Sequence, residues 1–286
     1  MNRNVLLIEP NYKNKYPPMG LMKISTYYKM LGDNVTFFKG DLKELVLNNI
    51  YDDIVGKLYK LDDSIIWEKY KKNIISYLKS GDRYDINSEI FFNENIIALL
   101  EEKRQYFYNK EYFIYNKKWD IVCITTLFTF YWKITIETIN FAKQLCRTPE
   151  NVKVGGIAAT LLPDKIEAET GIKPIVSVLN KAGMLGDDND IIIDTLPLDY
   201  SILHEIDYEY PASNAFYGYM TRGCVNKCPF CAVPKLEPNY IKYIPIHRAI
   251  QDTMKKYGDK QNLLLLDNNI LASENFDKII DDIKSI

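Results

Sequence analysis

Apolar and polar positions over the first 40 residues follow the pattern of a strand, a helix and a second strand. Residues 5–9 (VLLIE) form a short run of strand composition that Pro10 closes. Residues 20–31 carry apolar side chains at helical spacing, and residues 34–39 (NVTFFK) have strand composition again. This order predicts a βαβ unit, and therefore a parallel sheet with a right-handed crossover.

The same alternation resumes at Trp119. The run that follows is almost continuously apolar, which is typical of a strand buried on both faces of a parallel sheet. Two shorter apolar runs further on have the composition of edge strands. The predicted elements are strands at 120–128, 152–160, 174–179 and 190–196, and a helix at 132–146.

Residues 41–118 interrupt this pattern. They are rich in Lys, Asn, Asp, Tyr and Ile, contain no Pro, and show helical periodicity in two long segments. We therefore predict a helical insertion over about 41–118. Two roles stay open for it: a solvated packing appendage, which such insertions usually are, or an element that shapes a substrate site.

The last part of the chain carries a second set of alternating elements after a segment with two prolines and many acidic residues. That segment predicts a linker with a solvated acidic face. The elements beyond it are strands at 215–221 and 262–267 and helices at 245–257 and 273–285. The chain is therefore predicted to be α/β, with a Rossmann-like parallel-sheet domain at 1–196, a linker at 197–214 and the start of a second domain at 215–286.

Composition and charge exclude several classes of protein. The 36 basic and 38 acidic residues give a net charge of −2, so no basic surface indicates nucleic-acid binding. The sequence lacks 18 consecutive apolar residues, and its first apolar run is too short for a signal peptide. We expect a cytoplasmic protein without a membrane partner.

Three of the five cysteines lie within eight residues. Cys224, Cys228 and Cys231 form a C-x3-C-x2-C motif in the loop after the predicted strand 215–221. An odd, clustered set of cysteines favours metal binding over disulfides. Zinc usually takes four protein ligands, whereas three thiolates can hold three irons of a 4Fe–4S cluster and leave the fourth iron open. The cluster is favoured, and zinc stays an alternative.

With Arg222 and Gly223 before its first cysteine and Phe230 before its last, the motif resembles the signature of the radical S-adenosylmethionine (SAM) superfamily. The resemblance implies that residues 215–286 are the first βα units of a partial TIM barrel. It also implies that SAM chelates the open iron and is cleaved reductively to a 5′-deoxyadenosyl radical, which abstracts hydrogen from an unknown substrate. Flavodoxin or ferredoxin would be the reductant.

The same resemblance implies a set of SAM-binding residues. Phe230 would lie against the adenine, and the polar residues after the second strand, Asp267, Asn268 and Asn269, would hold the SAM amino group. The alternatives are ordinary packing for Phe230 and a strand-end turn for the three polar residues. The sequence assigns no catalytic residue.

The segment YPPMGL (16–21) follows the first strand, Thr125-Thr126 the third and Gly155-Gly156 the fourth. On these residues, the first domain resembles the cobalamin-binding Rossmann-like domain found ahead of many radical SAM barrels. The resemblance implies a cobalamin site, since glycines let the backbone approach a flat ring closely. The D-x-H-x-x-G segment with the axial His is absent, and His204 and His247 lie elsewhere. Cobalamin would therefore bind without a protein imidazole, or the domain keeps the fold without the cofactor. The residues implied are Gly20, Thr125, Thr126, Gly155 and Gly156.

Two rival functions stay open. A methylthiotransferase acting on RNA or protein would need three more cluster cysteines in the first domain, where only Cys123 and Cys146 are present. An iron–sulfur or zinc-binding module without catalysis is the other rival. Residues 232–286 suffice for about two βα units where the superfamily barrel has about six. This length predicts a fragment or part of a split protein that binds SAM weakly and cleaves it poorly.

Overall fold

The computed structural model describes residues 2–86 and 93–286, so residues 87–92 of the predicted insertion lie outside it. The chain forms two compact units: Met1–Lys39 with Trp119–Ile286, and Gly40–Lys118. Within the described ranges, the helices are all too short or too polar to span a bilayer.

The predicted α/β class is confirmed. The strands are β1 (Asn4–Pro10), β2 (Asn34–Gly40), β3 (Ile121–Thr126), β4 (Val152–Gly156), β5 (Ala215–Gly218) and β6 (Asn262–Leu265). The α-helices are α1 (Met19–Met30), α2 (Leu42–Leu61), α3 (Lys71–Ser80), α4 (Glu94–Tyr108), α5 (Glu111–Tyr115), α6 (Trp132–Leu145), α7 (Ile157–Leu161), α8 (Pro163–Thr170), α9 (Val233–Leu236), α10 (His247–Tyr257) and α11 (Phe276–Lys284).

Four strands form the main sheet in the order β2-β1-β3-β4. The β1–β3 and β3–β4 pairs are parallel, with Val5 opposite Ile121 and Thr126 opposite Gly156. Because these strands run in the same direction, the carboxyl-terminal ends of β1, β3 and β4 lie together at one edge of the sheet. That edge is where parallel α/β folds bind ligands.

The second sheet contains β5 and β6, paired in parallel. Helix α10 lies between the two strands in the chain and α11 follows β6, which gives the βαβα order that the sequence predicts. A small core of Phe216, Met220, Ile246, Ile250 and Ile279 holds this part together.

The unit Gly40–Lys118 is helical, as predicted. Asp41 caps α2 by accepting a hydrogen bond from the Lys43 N–H. The fully buried Trp67 donates its indole N–H to the Asp62 carbonyl at 3.0 Å. Helix α3 packs against α2 and α4 within this unit.

The strand predicted at 152–160 is wrong in its second half. Strand β4 ends at Gly156, whose φ of +103° turns the chain into α7. Only glycine adopts this backbone conformation without strain. The apolar residues after Gly156 therefore pack from a helix.

The strands predicted at 174–179 and 190–196 are also wrong. The first segment makes a hydrogen bond from the Ile175 N–H to the Val154 carbonyl at 2.8 Å, but Ser177 has a φ of +64°, which breaks the extended conformation. The second contains a 3-10 turn at Ile193–Thr195, with Ile193 buried against the main core. Apolar composition reflects burial here rather than strand pairing.

The prediction of a solvated acidic face for the linker is wrong for Asp199 and Glu205, whose carboxylates are hydrogen-bonded within the protein. The Asp199 carboxylate is buried and accepts hydrogen bonds from Ser25, Lys29 and Tyr257 at 2.7–2.8 Å. Glu205 accepts the Phe37 N–H at 2.7 Å. These bonds tie the linker to β2, α1 and α10 within one compact unit, and the boundary between the first and second domains stays a prediction.

Asp199 should make the stability of the protein sensitive to acid. Burial alone would raise the pKa of its carboxyl, but the hydrogen bonds, led by that from Lys29, outweigh it and lower the pKa. The stabilisation is therefore present above the unfolded pKa of about 3.9 and is lost as the pH falls below it. We expect Asp199→Asn to lower the free energy of unfolding by about 2–4 kcal/mol at pH 7, since it leaves Lys29 without its partner.

The measurement is urea denaturation at pH 7 and at pH 3. The gap between wild type and Asp199→Asn should narrow at pH 3, because the Asp199 carboxyl of the unfolded chain takes up a proton there while that of the folded protein stays ionised. A gap of the same size at both pH values would show that the Asp199 charge contributes nothing.

Candidate functional site

The three motif cysteines lie on the loop that joins β5 to α9. Cys224 and Cys228 are half-buried, Cys231 is exposed, and none forms a disulfide. The Cys231 N–H donates to the Cys228 carbonyl at 3.0 Å, so a tight turn joins these two residues. Among residues 2–86 and 93–286, however, no group of three or more His, Cys, Asp or Glu side chains is arranged to hold a metal ion. The cluster therefore stays a prediction.

The chemistry of these thiols fits an iron–sulfur cluster. Three soft sulfur donors share a loop and are accessible to solvent, as assembly of a cluster requires. Cys123 and Cys146 are both buried instead. Burial raises the pKa of Cys123 to about 12, so this thiol stays protonated, and the prediction of a buried thiol is confirmed.

Asp267 fixes the start of the cysteine loop. Its carboxylate accepts hydrogen bonds from the Met220 N–H at 3.1 Å, the Thr221 hydroxyl at 2.6 Å and the Thr221 N–H. These bonds join the end of β6 to the segment that leaves β5. The carboxylate predicted to hold the SAM amino group is thus engaged with the backbone, and Asp267 positions the loop.

Glu237 is the residue that sequence reasoning missed. Its side chain accepts hydrogen bonds from the Gly223 N–H and the Asn268 amide, both at 2.7 Å, and pairs with Arg222 at 2.7 Å. One carboxylate therefore holds both residues that precede Cys224 and the end of β6. A lone glutamate beyond the motif carries no sequence signal, because its partners come from distant segments.

Gly223 shapes the entry to the loop. Its φ is +67°, and a Cβ there would lie 2.8 Å from the Asn239 carbonyl oxygen. The Arg222 backbone exchanges two 3.0 Å hydrogen bonds with Ile241. The loop is thus anchored immediately before Cys224, and Phe230 near its far end is 92% exposed. The predicted adenine-stacking residue is free to contact a ligand.

Asn269 contacts the motif directly. Its side-chain Nδ2 lies 3.4 Å from Cys224 Sγ, and the Asn226 N–H lies at the same distance from that sulfur. Asp267, Asn268 and Asn269 thus each contact a different part of the segment from Met220 to Glu237. These three residues follow the end of β6, and their role in holding the SAM amino group stays a prediction.

A cavity of about 640 Å³ lies at the ligand-binding edge of the main sheet. This volume is within the range of small-molecule sites. Arg222, Glu237 and Asn268 extend the lining to the base of the cysteine loop. The five residues predicted for cobalamin, Gly20, Thr125, Thr126, Gly155 and Gly156, all line it.

The five residues predicted for cobalamin differ in the contacts that they already make within the protein. A Cβ on Gly156 would lie 2.8 Å from Thr126 N and closer still to its carbonyl oxygen, so the strands themselves require this glycine. The Thr126 hydroxyl accepts the Ala159 N–H and donates to the Gly155 carbonyl, both at 2.9 Å. Gly20 has no atom within 4 Å of its Cβ position in the described protein. Gly20, Thr125 and Gly155 therefore remain as candidate ligand contacts.

Ion pairs form one wall of the cavity. Lys23 Nζ lies 2.8 Å from Asp194, which also lies 3.4 Å from Arg222. Burial lowers the pKa of Lys23 by more than the attraction of Asp194 raises it. Burial would raise the pKa of Asp194, but Lys23 and Arg222 outweigh it and lower that pKa. This network joins α1 to the residue that leads into the motif.

A second buried pair lies at the end of β1. The fully buried Glu9 pairs with Lys39 at 3.3 Å and accepts hydrogen bonds from Asn14 at 2.9 Å and from the Tyr210 hydroxyl. Burial lowers the pKa of Lys39 and raises that of Tyr210. Glu9 and Asn14 line the cavity. The sequence marked Glu9 only as the end of a strand.

Neither histidine lies at the cavity or the cysteine loop. His204 is exposed in the turn Tyr200–Glu205, and His247 starts α10 with its Nε2 3.3 Å from the Ser285 hydroxyl. The lining of the described cavity therefore offers a ligand no imidazole.

Comparison with known proteins gives two distant matches. No family model matches the chain. A 60-residue stretch is 32% identical to an NADPH-dependent 7-cyano-7-deazaguanine reductase of Thermoanaerobacter pseudethanolicus, over 21% of this chain and 45% of that protein. The fold is similar, with a TM-score of 0.49 and 14% identity, to the radical SAM methyltransferase TsrM of Kitasatospora setae, solved with tryptophan substrate and aza-SAM bound.

The match to TsrM covers all of this chain and 52% of TsrM. The chain thus spans about half the length of each of the two proteins it matches.

Proposed function

We propose that this chain is a radical SAM enzyme, or part of one, and that Cys224, Cys228 and Cys231 bind a 4Fe–4S cluster. One observation supports this most strongly. Asp267, Glu237 and Asn269 hold the C-x3-C-x2-C loop at the ends of β5 and β6, beside a ligand-sized cavity. Ligands of parallel α/β folds bind at these strand ends.

The chain's own residues would bind and orient the reactants. Bound by these three thiolates, a cluster would supply the electron for the reductive cleavage of SAM. Asp267 and Glu237 hold the segment before Cys224 in place, so the start of the motif is fixed, and the three thiols would have to converge to bind iron. Phe230, which is almost fully exposed, would cover the adenine. Flavodoxin or ferredoxin is the proposed electron donor.

The cavity would hold the substrate or a cobalamin beside the cluster loop. Apolar side chains such as Ile24, Ile124 and Leu179 form much of its surface. The backbone at Gly20 and Gly155 is open to close approach, because a Cβ at Gly155 comes no closer than 3.7 Å to its nearest neighbour, the Ile175 carbonyl oxygen. A corrin bound here would meet Gly20, Thr125 and Gly155 and no imidazole, because neither His204 nor His247 lines the cavity.

Electron paramagnetic resonance (EPR) of the reduced protein tests this proposal. After anaerobic reconstitution and reduction, we expect SAM to shift the g values of the cluster signal, because chelation changes the electronic structure of the open iron. 5′-Deoxyadenosine at the same concentration, which lacks the amino and carboxylate groups that chelate iron, controls for nonspecific effects. A cluster whose signal is identical with and without SAM would contradict the enzyme assignment and favour an electron-transfer or structural module.

A further inference from the structure

The hydrogen bonds at the motif sulfurs are unequal. Cys224 Sγ accepts from the Asn269 side chain and from the Asn226 N–H, each at 3.4 Å. Over residues 2–86 and 93–286, the structure gives the sulfurs of Cys228 and Cys231 no such donor. The first cysteine is therefore the one whose sulfur the protein hydrogen-bonds.

Asn269 is held where it can donate this bond. The two residues before it are anchored, Asp267 on the Thr221 hydroxyl at 2.6 Å and Asn268 on Glu237 at 2.7 Å. Asn at a strand end usually bonds to nearby backbone. The Asn269 amide instead reaches a sulfur 45 residues away in the chain, and it is half-buried, which strengthens a hydrogen bond.

We propose that Asn269 is a positioning residue that raises the reduction potential of the cluster through its hydrogen bond to Cys224 Sγ. The inference rests on the proposed cluster. Hydrogen bonds to cluster sulfurs are one of the factors that set the potential. A donor stabilises the reduced state more than the oxidised state, because reduction adds one electron and so increases the negative charge on the sulfurs.

The test is a redox titration of reconstituted protein followed by the EPR signal. Asn269→Leu keeps the size of the side chain and removes the donor. At the wild-type midpoint potential, its ratio of reduced to oxidised cluster should fall about tenfold, which for a one-electron couple is a shift of about 59 mV to more negative values. The matched control is Asn226→Ala, which keeps the backbone N–H and should titrate like wild type.

Each outcome is informative. A four-iron Asn269→Leu protein with the wild-type potential would overturn the inference, as would an equal shift in Asn226→Ala. If Asn269→Leu takes up no iron, the redox titration is repeated with Asn269→Ser. Its shorter hydroxyl donor should give a smaller shift of the midpoint potential in the same direction. An unchanged potential in Asn269→Ser would overturn the inference. Absence of a cluster from wild-type protein would instead refute the proposed function itself.

Discussion

Gly156→Ala should destabilise the fold strongly. The φ of +103° is strained for any residue with a Cβ, and that Cβ would lie 2.8 Å from Thr126 N. Strands β3 and β4 would have to separate at the cavity edge, which breaks the bonds that Thr126 makes to Gly155 and Ala159. We expect a loss of about 3 kcal/mol or more in the free energy of unfolding, measured by urea denaturation.

The neighbouring glycine provides a matched control. A Cβ on Gly155 would lie 3.7 Å from the Ile175 carbonyl oxygen, which is an ordinary contact. Gly155→Ala should therefore change the free energy of unfolding by less than about 1 kcal/mol. Equal urea midpoints for the two variants would contradict the close approach of β3 and β4.

This pair of glycines shows what the sequence could and could not predict. Gly155-Gly156 after an apolar strand predicts a ligand edge, and the structure places both residues at the cavity. The sequence gives both glycines the same role. Only the register of Thr126 opposite Gly156 shows that the sheet itself requires the second one.

The strand predictions succeeded or failed for a related reason. β1 and β3 are buried on both faces, so their apolar runs were sufficient to predict them. Residues 174–179 have a similar composition, but a strand also needs a continuous partner, and Ser177 breaks the extended backbone. Composition reports burial, whereas pairing depends on residues far away in the chain.

The polar residues of the site follow the same rule. Cysteine spacing and strand-end position selected Cys224 and Asn269, which are in contact in the structure. Glu237 and the buried Asp199 were missed or misread, because a carboxylate's role is set by the donors that the fold brings to it. These donors come from segments that no local pattern connects.

Replacing any one of the motif cysteines should abolish the cluster. Cys224→Ala, Cys228→Ala and Cys231→Ala each leave two thiolates, too few to hold three irons. We expect the visible absorption near 400 nm, which is typical of such clusters, to be lost along with the iron. Urea denaturation should show that the variants stay folded, since the three side chains contribute little to the core.

The control is Cys123→Ala. This thiol is buried in β3 with a raised pKa, and although it lines the cavity it lies on the main sheet and not on the cysteine loop. The variant should keep its full iron content at a modest cost in stability. Loss of iron from Cys123→Ala, with iron retained by a motif variant, would show that the assignment of Cys224, Cys228 and Cys231 as the ligands is wrong.

The central claim is most directly tested by metal and sulfide analysis of wild-type protein purified and reconstituted without oxygen. We predict about four irons and four acid-labile sulfides per chain, with zinc well below one. One zinc per chain, without iron or sulfide under the same conditions, would contradict the claim.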